Sequence, residues 1–256
     1  MTRIAIGQLR MYWTIEENMH AIMQAMTLAH ARGAQLCTFA ELAVTGFHRQ
    51  ITALAHPELI GPQIERLQER CAQLNMALAI GAPTFAEAGA KLNSHFLINE
   101  SGEIAAVIHK NGLTAPEATF FQAGADRPVA PLQGLRTTAV ICREIEDAAH
   151  VCAQLPAGSV DLVLWPGQMR PDPEKPLTDP PAHVVHAQQL ARALNAYIVQ
   201  ANWPNALNRP EESEHTGASA VIAPSGALML RLPTQSAGVV VFSLGESSYE
   251  WHPQAV

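Results

Sequence analysis

The sequence predicts an α/β fold, a four-layer α-β-β-α sandwich of two mixed sheets with outer helices, formed as a single domain over residues 1–256. Three observations predict it. Short apolar runs bounded by turn residues alternate with longer stretches that are apolar at helical spacing. Tight Ser-Gly turns join two pairs of these runs, so hairpins are mixed into an otherwise alternating succession. No Pro/Ser-rich linker divides the 256 residues, a length that suits one large domain.

The elements follow in order. Residues 3–9 read as a strand, apolar at nearly every central position. In 15–31, Ile15, Met19, Ile22, Met23, Met26 and Ala29 repeat at helical spacing, and Gly33 stops the helix. A second strand covers 35–39, a second helix 57–75, and a buried strand 76–80 is bounded by Gly81. Strands 95–99 and 104–109 flank Glu100-Ser101-Gly102-Glu103 as a hairpin. Residues 136–141, rich in β-branched side chains, run as a strand into Cys142, and a short helix follows through Leu155. Strand 160–165 is stopped by Pro166, helix 179–194 is followed by strand 197–201, and strands 218–223 and 227–232 flank Pro224-Ser225-Gly226. The last strand is 239–242. About ten strands and four helices result. Two segments resist regular structure: 169–181, where five prolines fall, and the polar stretch 205–217. Loops of such length in a compact domain are often functional.

Composition narrows the function. Hydrophobic residues make up 48% and charged residues 15% of the chain, enough for a sizeable core, and disorder is excluded on these grounds. Net charge is −7 and the 16 Lys+Arg form no basic run, which argues against a nucleic-acid partner. Apolar runs such as 239–242 fall far below the roughly 20 residues of a membrane span. The N-terminus reads straight into a strand with no signal-peptide architecture. The four cysteines, Cys37, Cys71, Cys142 and Cys152, lack paired spacing, against both a disulfide scaffold and a zinc ribbon. A cytoplasmic protein with free thiols is expected.

Three segments carry candidate chemistry. Cys142 ends a strand and precedes the polar cluster Arg143-Glu144-Ile145-Glu146-Asp147. A strand-to-helix elbow presents its side chain at a sheet edge beside backbone N–H groups that can hold an anion. A cysteine there can act as a nucleophile once its proton is removed; a buried structural thiol is the other reading. Glu41 lies just past an apolar strand with apolar neighbours on both sides, which raises a carboxyl pKa and suits a proton shuttle. Lys110 ends another strand, where an ammonium can stabilise a thiolate or an oxyanion. His183 and His186, three apart on a helix, lack an evident third ligand and read as structural or surface residues. The eleven histidines leave a Cys–His dyad as an alternative.

The combination and order of these segments resemble the nitrilase superfamily, or carbon–nitrogen hydrolases. The matching residues are Glu41 in Glu41-Leu42-Ala43-Val44-Thr45-Gly46-Phe47, Lys110 in His109-Lys110, and Cys142 in Val140-Ile141-Cys142. Glu117, followed by Phe120 and Phe121, matches the acidic residue that supports the family's lysine. Further similarity runs from Ile4-Ala5-Ile6-Gly7-Gln8 through 161–166 and 191–202 to Gly217-Ala218-Ser219 and Pro224-Ser225-Gly226. The resemblance implies a Glu-Lys-Cys triad that hydrolyses a non-peptide C–N bond through a thioester. Glu41 would be general base, Cys142 nucleophile, and Lys110 with the backbone N–H of Arg143 would hold the oxyanion. It also implies a small-molecule substrate, no metal or cofactor, and a homodimer or higher homo-oligomer.

The segment after the nucleophile departs from the family pattern. Many amidases resemble C-x-D-x-R-[FY]-P-E there; this chain has Glu144 at the Asp, Glu146 at the Arg, and Ala148-Ala149 in place of Pro-Glu. The loss of Arg weakens the expectation of a carboxylate-bearing substrate. A Glu146 facing the pocket would favour an amine-bearing or neutral one; a helix-start Glu in solvent is the alternative. Nitrilases resemble C-W-E, and here Arg143 replaces the Trp, so amide hydrolysis is expected over nitrile hydrolysis. An N-carbamoyl amine hydrolase, a nitrilase and a catalytically divergent binding module are the alternatives. Phe47, Trp165 and Trp203 are further candidates to line the substrate pocket, with core packing an equal reading for Trp165.

Overall fold

Alternate residues of the first strand enter different apolar layers, and that alternation organises the molecule. In the computed structural model, which describes residues 2–86, 89–171 and 178–254, β1 (Arg3–Gln8) sends Ile4 and Ile6 into one core and Ala5 into another. The strands β2 (Leu36–Phe39), β3 (Ala77–Phe85), β4 (Lys91–Ile98) and β5 (Ile104–His109) extend the same sheet. A second sheet contains β6 (Ala130–Leu132), β7 (Leu135–Ala139), β8 (Leu162–Gly167), β9 (Tyr197–Asn202), β10 (Ala220–Ile222) and β11 (Leu228–Arg231). Finally β12 (Gly238–Ser243) and β13 (Tyr249–Pro253) return to the first sheet. The orders are β13-β12-β1-β2-β3-β4-β5 and β11-β10-β9-β8-β7-β6. Both sheets are mixed: β1-β2-β3 and β7-β8-β9 run parallel and their flanking pairs antiparallel.

Helices cover the outer faces. α1 (Ile15–Ala31) begins at Thr14, whose Oγ1 accepts from the Glu17 N–H at 3.3 Å, and is followed by Gly33 at φ +75. A one-turn helix, α2 (Ile51–Leu54), precedes α3 (Pro57–Leu74), which opens on Pro57 and ends at Asn75, left-handed at φ 48. Met19, Ile22 and Met26 of α1 and Ile64, Leu67 and Cys71 of α3 pack on Ala5, Cys37 and Leu78 of the first sheet. On the second sheet lie α4 (Ala148–Gln154) and α5 (Ala182–Leu194), the latter burying Val184, Ala187, Leu190 and Leu194. Each such aliphatic side chain contributes about 1.5–3 kcal/mol on burial. The result is the four-layer α-β-β-α sandwich.

Several boundaries differ from the sequence reading. β3 continues through Gly81 to Phe85, and β4 starts at Lys91 because buried Asn93, Ser94 and His95 interrupt its apolar signal. β8 runs through Pro166. The Leu164 carbonyl accepts from Val140, so Leu164 and Pro166, two residues on, turn their backbone groups toward β7, which ends at Ala139. A missing N–H therefore removes no ladder bond there. Helix α5 starts at Ala182 rather than 179, since a residue preceding proline disfavours the helical region and Pro180-Pro181 imposes that twice. β13 follows the strand read as the last; its exposed edge position leaves little apolar periodicity. Of the proline-rich stretch 169–181, residues 172–177 lie outside the described residues. No helix among the described residues is long and apolar enough to cross a membrane.

Candidate active site

After β2 the chain turns sharply through residues 41–45, with Leu42 left-handed at φ 51 and the Gly46 N–H donating to the Leu42 carbonyl at 2.8 Å. Backbone from β3 presses against this turn. A Cβ on Gly81 would lie 2.2 Å from the Leu42 nitrogen and 3.0 Å from the Glu41 carbonyl carbon. Gly81 is therefore a point of close approach rather than a strand stop. On the other side the Trp203 indole N–H donates to the Glu41 carbonyl oxygen at 2.8 Å. The turn holds Glu41 in place, its side chain wholly buried.

Lys110 follows β5, and its backbone N–H donates to the Asn93 carbonyl at 2.8 Å. Its ammonium reaches two carboxylates, Glu41 Oε1 at 2.7 Å and Glu117 Oε1 at 2.6 Å. The Asn93 amide donates to the same Glu41 oxygen at 2.7 Å, and Glu117 Oε2 accepts from the Thr114 N–H at 2.8 Å. Burial raises the Glu41 pKa above the usual carboxylate range, against the opposing pull of Lys110. Burial pulls the Lys110 pKa down, but Glu41, Cys142 and Glu117 outweigh it, and the net direction is up. The lysine stays charged. Glu41 Oε2 has no protein partner among the described residues, which leaves one oxygen available for proton transfer.

Cys142 sits where β7 leaves its sheet and a 3₁₀ turn (Cys142–Glu146) begins. Its φ of +55 is strained for a non-glycine residue, as in a nucleophile elbow. Three groups hold it. Trp165 donates its indole N–H to the Cys142 carbonyl at 3.0 Å, Met169 Sδ lies 3.7 Å from Sγ, and the Gln168 backbone hydrogen-bonds the sulfur. A Cβ on Gly167 would lie 3.2 Å from Cys142 Cα, so β8 packs directly behind the elbow. Burial and the Glu41 carboxylate push the thiol pKa up while Lys110 pulls it down; the net direction is up. At rest the sulfur is a neutral thiol with a buried carboxylate and ammonium in electrostatic range.

The structure thus brings together Glu41, Lys110, Glu117 and Cys142, drawn from both sheets. Arg143 is the second residue of the 3₁₀ turn, where backbone N–H groups lack partners within the helix; its exposed side chain donates to the Leu113 carbonyl at 3.4 Å. Phe47 faces the cluster, its ring centroid 6.0 Å from Lys110 Nζ, and packs with Leu42, Ile51 and Phe121. Of the two readings for Trp165 the structure has the packed one: the side chain is fully buried and its indole N–H supports the Cys142 backbone. Glu146 is exposed. His183 is buried at the edge of the Trp165 ring, 5.9 Å between centroids, and burial lowers its pKa to about 4. No group of three metal-ligating side chains occurs among the described residues. Sequence reasoning missed Asn93, Gln168 and Met169, and read Trp203 as a pocket-lining candidate without its bond to the Glu41 carbonyl. Of the missed three only Asn93 carried a signal, as a polar residue inside a strand whose partner strand ends at Lys110.

The carbon–nitrogen hydrolase family model matches residues 3–252. Among solved structures, a Glu-to-Gln mutant of the amidase from Nesterenkonia sp. AN1, with acrylamide added at its active-site cysteine, is 25% identical. It covers 95% of this chain and 93% of its own, at a TM-score of 0.81. A second structure of that amidase, also 25% identical, covers 94% of this chain and 89% of its own at 0.79. The same amidase after removal of its tag is 24% identical, over 96% and 94%, at 0.81. No curated protein sequence matches the chain.

Proposed function

Because the chain belongs to the carbon–nitrogen hydrolase family, we propose that it hydrolyses a small neutral amide through an acyl-enzyme on Cys142. One observation carries the reading: Lys110 Nζ bridges Glu41 and Glu117 at 2.7 and 2.6 Å in a buried cluster whose charges act on the Cys142 thiol. A buried cation between two carboxylates costs desolvation. Placed beside a nucleophile, it has a use that balances that cost.

The steps follow from the resting protonation. Glu41 takes the Sγ proton as sulfur bonds to the carbonyl carbon, so the charged thiolate never forms alone in a buried setting. The Lys110 ammonium and the Arg143 N–H hold the resulting oxyanion. Collapse of the tetrahedral intermediate breaks the C–N bond, and the leaving amine takes the proton from Glu41. Water then adds to the thioester, gives a proton to Glu41, and the acid departs as the proton returns to sulfur. Glu117 keeps Lys110 charged and aimed throughout.

A neutral acyl group fits this setting. Two carboxylates flank the Lys110 ammonium, so an anionic substrate would enter a field that opposes its charge. Phe47, half-buried, adds apolar surface beside Lys110. The similar amidase carries acrylamide at its cysteine, which supports a small aliphatic amide here. Ammonia release across short aliphatic amides, ω-amides of dicarboxylates, carbamoyl amines and nitriles tests the proposal. Preference for neutral amides, lost in Cys142→Ala, is expected; preference for anionic ω-amides, carbamoyl amines or nitriles contradicts the substrate class.

A further inference from the structure

Lys110 and Cys142 belong to different sheets. The backbone of Lys110 is bonded to β4 of the first sheet and the segment leading to Cys142 to β8 of the second, so no strand ladder fixes their separation. Reaction requires that separation to be held closely, since a misplacement of about 1 Å can cost on the order of 100-fold. A buried carboxylate, that of Glu144, spans the gap.

Glu144 lies two residues after the nucleophile and is 4% exposed. Its Oε1 accepts from the Asn111 N–H at 2.6 Å and the Gly112 N–H at 3.0 Å, the two residues that follow Lys110. Its Oε2 accepts from the Ile141 N–H at 2.6 Å, the residue before Cys142, and from Arg127 Nη1 at 3.1 Å. Arg127 donates in addition to the Ala139 carbonyl at the end of β7 and, through Nε, to Gln154 Oε1 at 3.1 Å. Gly112 leaves no slack, because a Cβ there would lie 3.1 Å from Glu144 Cγ.

We infer that Glu144 is a positioning residue for the proposed reaction: its carboxylate clamps the segment following Lys110 to the turn carrying Cys142 and sets the distance from ammonium to sulfur. Burial alone would raise its pKa, but Arg127 and the converging N–H groups outweigh it and hold the carboxyl below its usual range. Four donors on one buried carboxylate exceed what a single 3₁₀ turn needs, and two of the four lie in the segment that follows β5 of the other sheet. The inference rests on Cys142 and Lys110 being the reacting pair.

The test compares Glu144→Gln, Glu144→Asp and Gly112→Ala with the unaltered chain. The readings are kcat and KM on a small amide, Cys142 alkylation by iodoacetamide against pH, and Tm. Glu144→Gln turns an N–H donor toward backbone N–H groups; kcat should fall about 10- to 100-fold with KM changed less than about threefold. The alkylation curve should move to higher pH, because a more distant Lys110 lowers the thiol pKa less. Glu144→Asp should recover part of both effects. Gly112→Ala keeps the carboxylate but pushes on it, shifts both readings the same way, and decides the matter if Glu144→Gln does not fold. Unchanged kcat, or a lower Tm with an unmoved alkylation curve, overturns the clamp. Cys142→Ala, assayed in parallel, separates the two claims: if it retains turnover the reaction assignment fails, whatever Glu144 does.

Discussion

Lys110 Nζ lies 2.7 Å from Glu41 Oε1, and neither side chain is reached by solvent. This contact joins the end of β5 to the turn after β2 across two intervening strands, and much of the site's behaviour follows from it.

Lys110→Ala removes the cation that bridges two buried carboxylates. Breaking a buried pair from one side costs about 3–5 kcal/mol, so Tm should fall. Loss of an oxyanion donor should lower kcat by about 100- to 1000-fold in the protein that remains folded. Thermal melts and turnover measured on the same samples check both effects.

The acid limb of kcat/KM should report Glu41, which must be ionised to take the thiol proton. Its raised pKa places that limb above the ordinary value of 4.5. Asn93 donates to the ionised form and so lowers this pKa. Asn93→Ala should therefore move the acid limb to higher pH, and an unmoved or lowered limb would count against Glu41 as the base.

Stability against pH should show two carboxyls of opposite sign. Glu144, depressed in the folded state, contributes stability present above 4.5 that is lost as pH falls through its folded pKa. Glu41, raised in the folded state, removes stability as pH rises from 4.5 through its folded pKa. Urea melts of Glu144→Gln should show a smaller loss toward acid than the unaltered chain; an equal loss contradicts the assignment.

Gly81→Ala places a methyl where the Leu42 nitrogen lies 2.2 Å away. Overpacking typically costs about 1–3 kcal/mol. Because the displaced backbone carries Glu41, kcat should fall together with Tm. A variant with lower Tm and full kcat would show that the turn is not what aims Glu41.

Trp165→Phe leaves the Cys142 carbonyl without its indole donor. An unsatisfied buried acceptor costs about 1–3 kcal/mol. Chemical denaturation should show that loss, with kcat falling as the strained elbow relaxes.

Much of this architecture was legible in the chain. Period-2 and helical patterns located β1, α1, α3, β5 and β9, because each buries one continuous face. Glu41, Lys110, Glu117 and Cys142 were legible through local context and order, and the structure places them in one cluster. What the sequence hid was polar or edge structure. Asn93 and His95 broke the apolar pattern of β4, and β13 lies exposed at a sheet margin. Gly81 and Pro166 read as stops, yet each sits inside a strand for a reason that depends on a neighbour distant in sequence. Trp165 and Trp203 point their indoles at backbone carbonyls of the site, a relationship with no local signature.

The central claim is that Cys142 carries the acyl group. The most direct measurement is intact-protein and peptide mass spectrometry of the unaltered chain mixed with a short aliphatic amide and quenched in acid during turnover. The expected result is an added acyl mass on the peptide containing Cys142, absent in Cys142→Ala, which also releases no ammonia. Ammonia release by Cys142→Ala, or an acyl mass on another residue, contradicts the account.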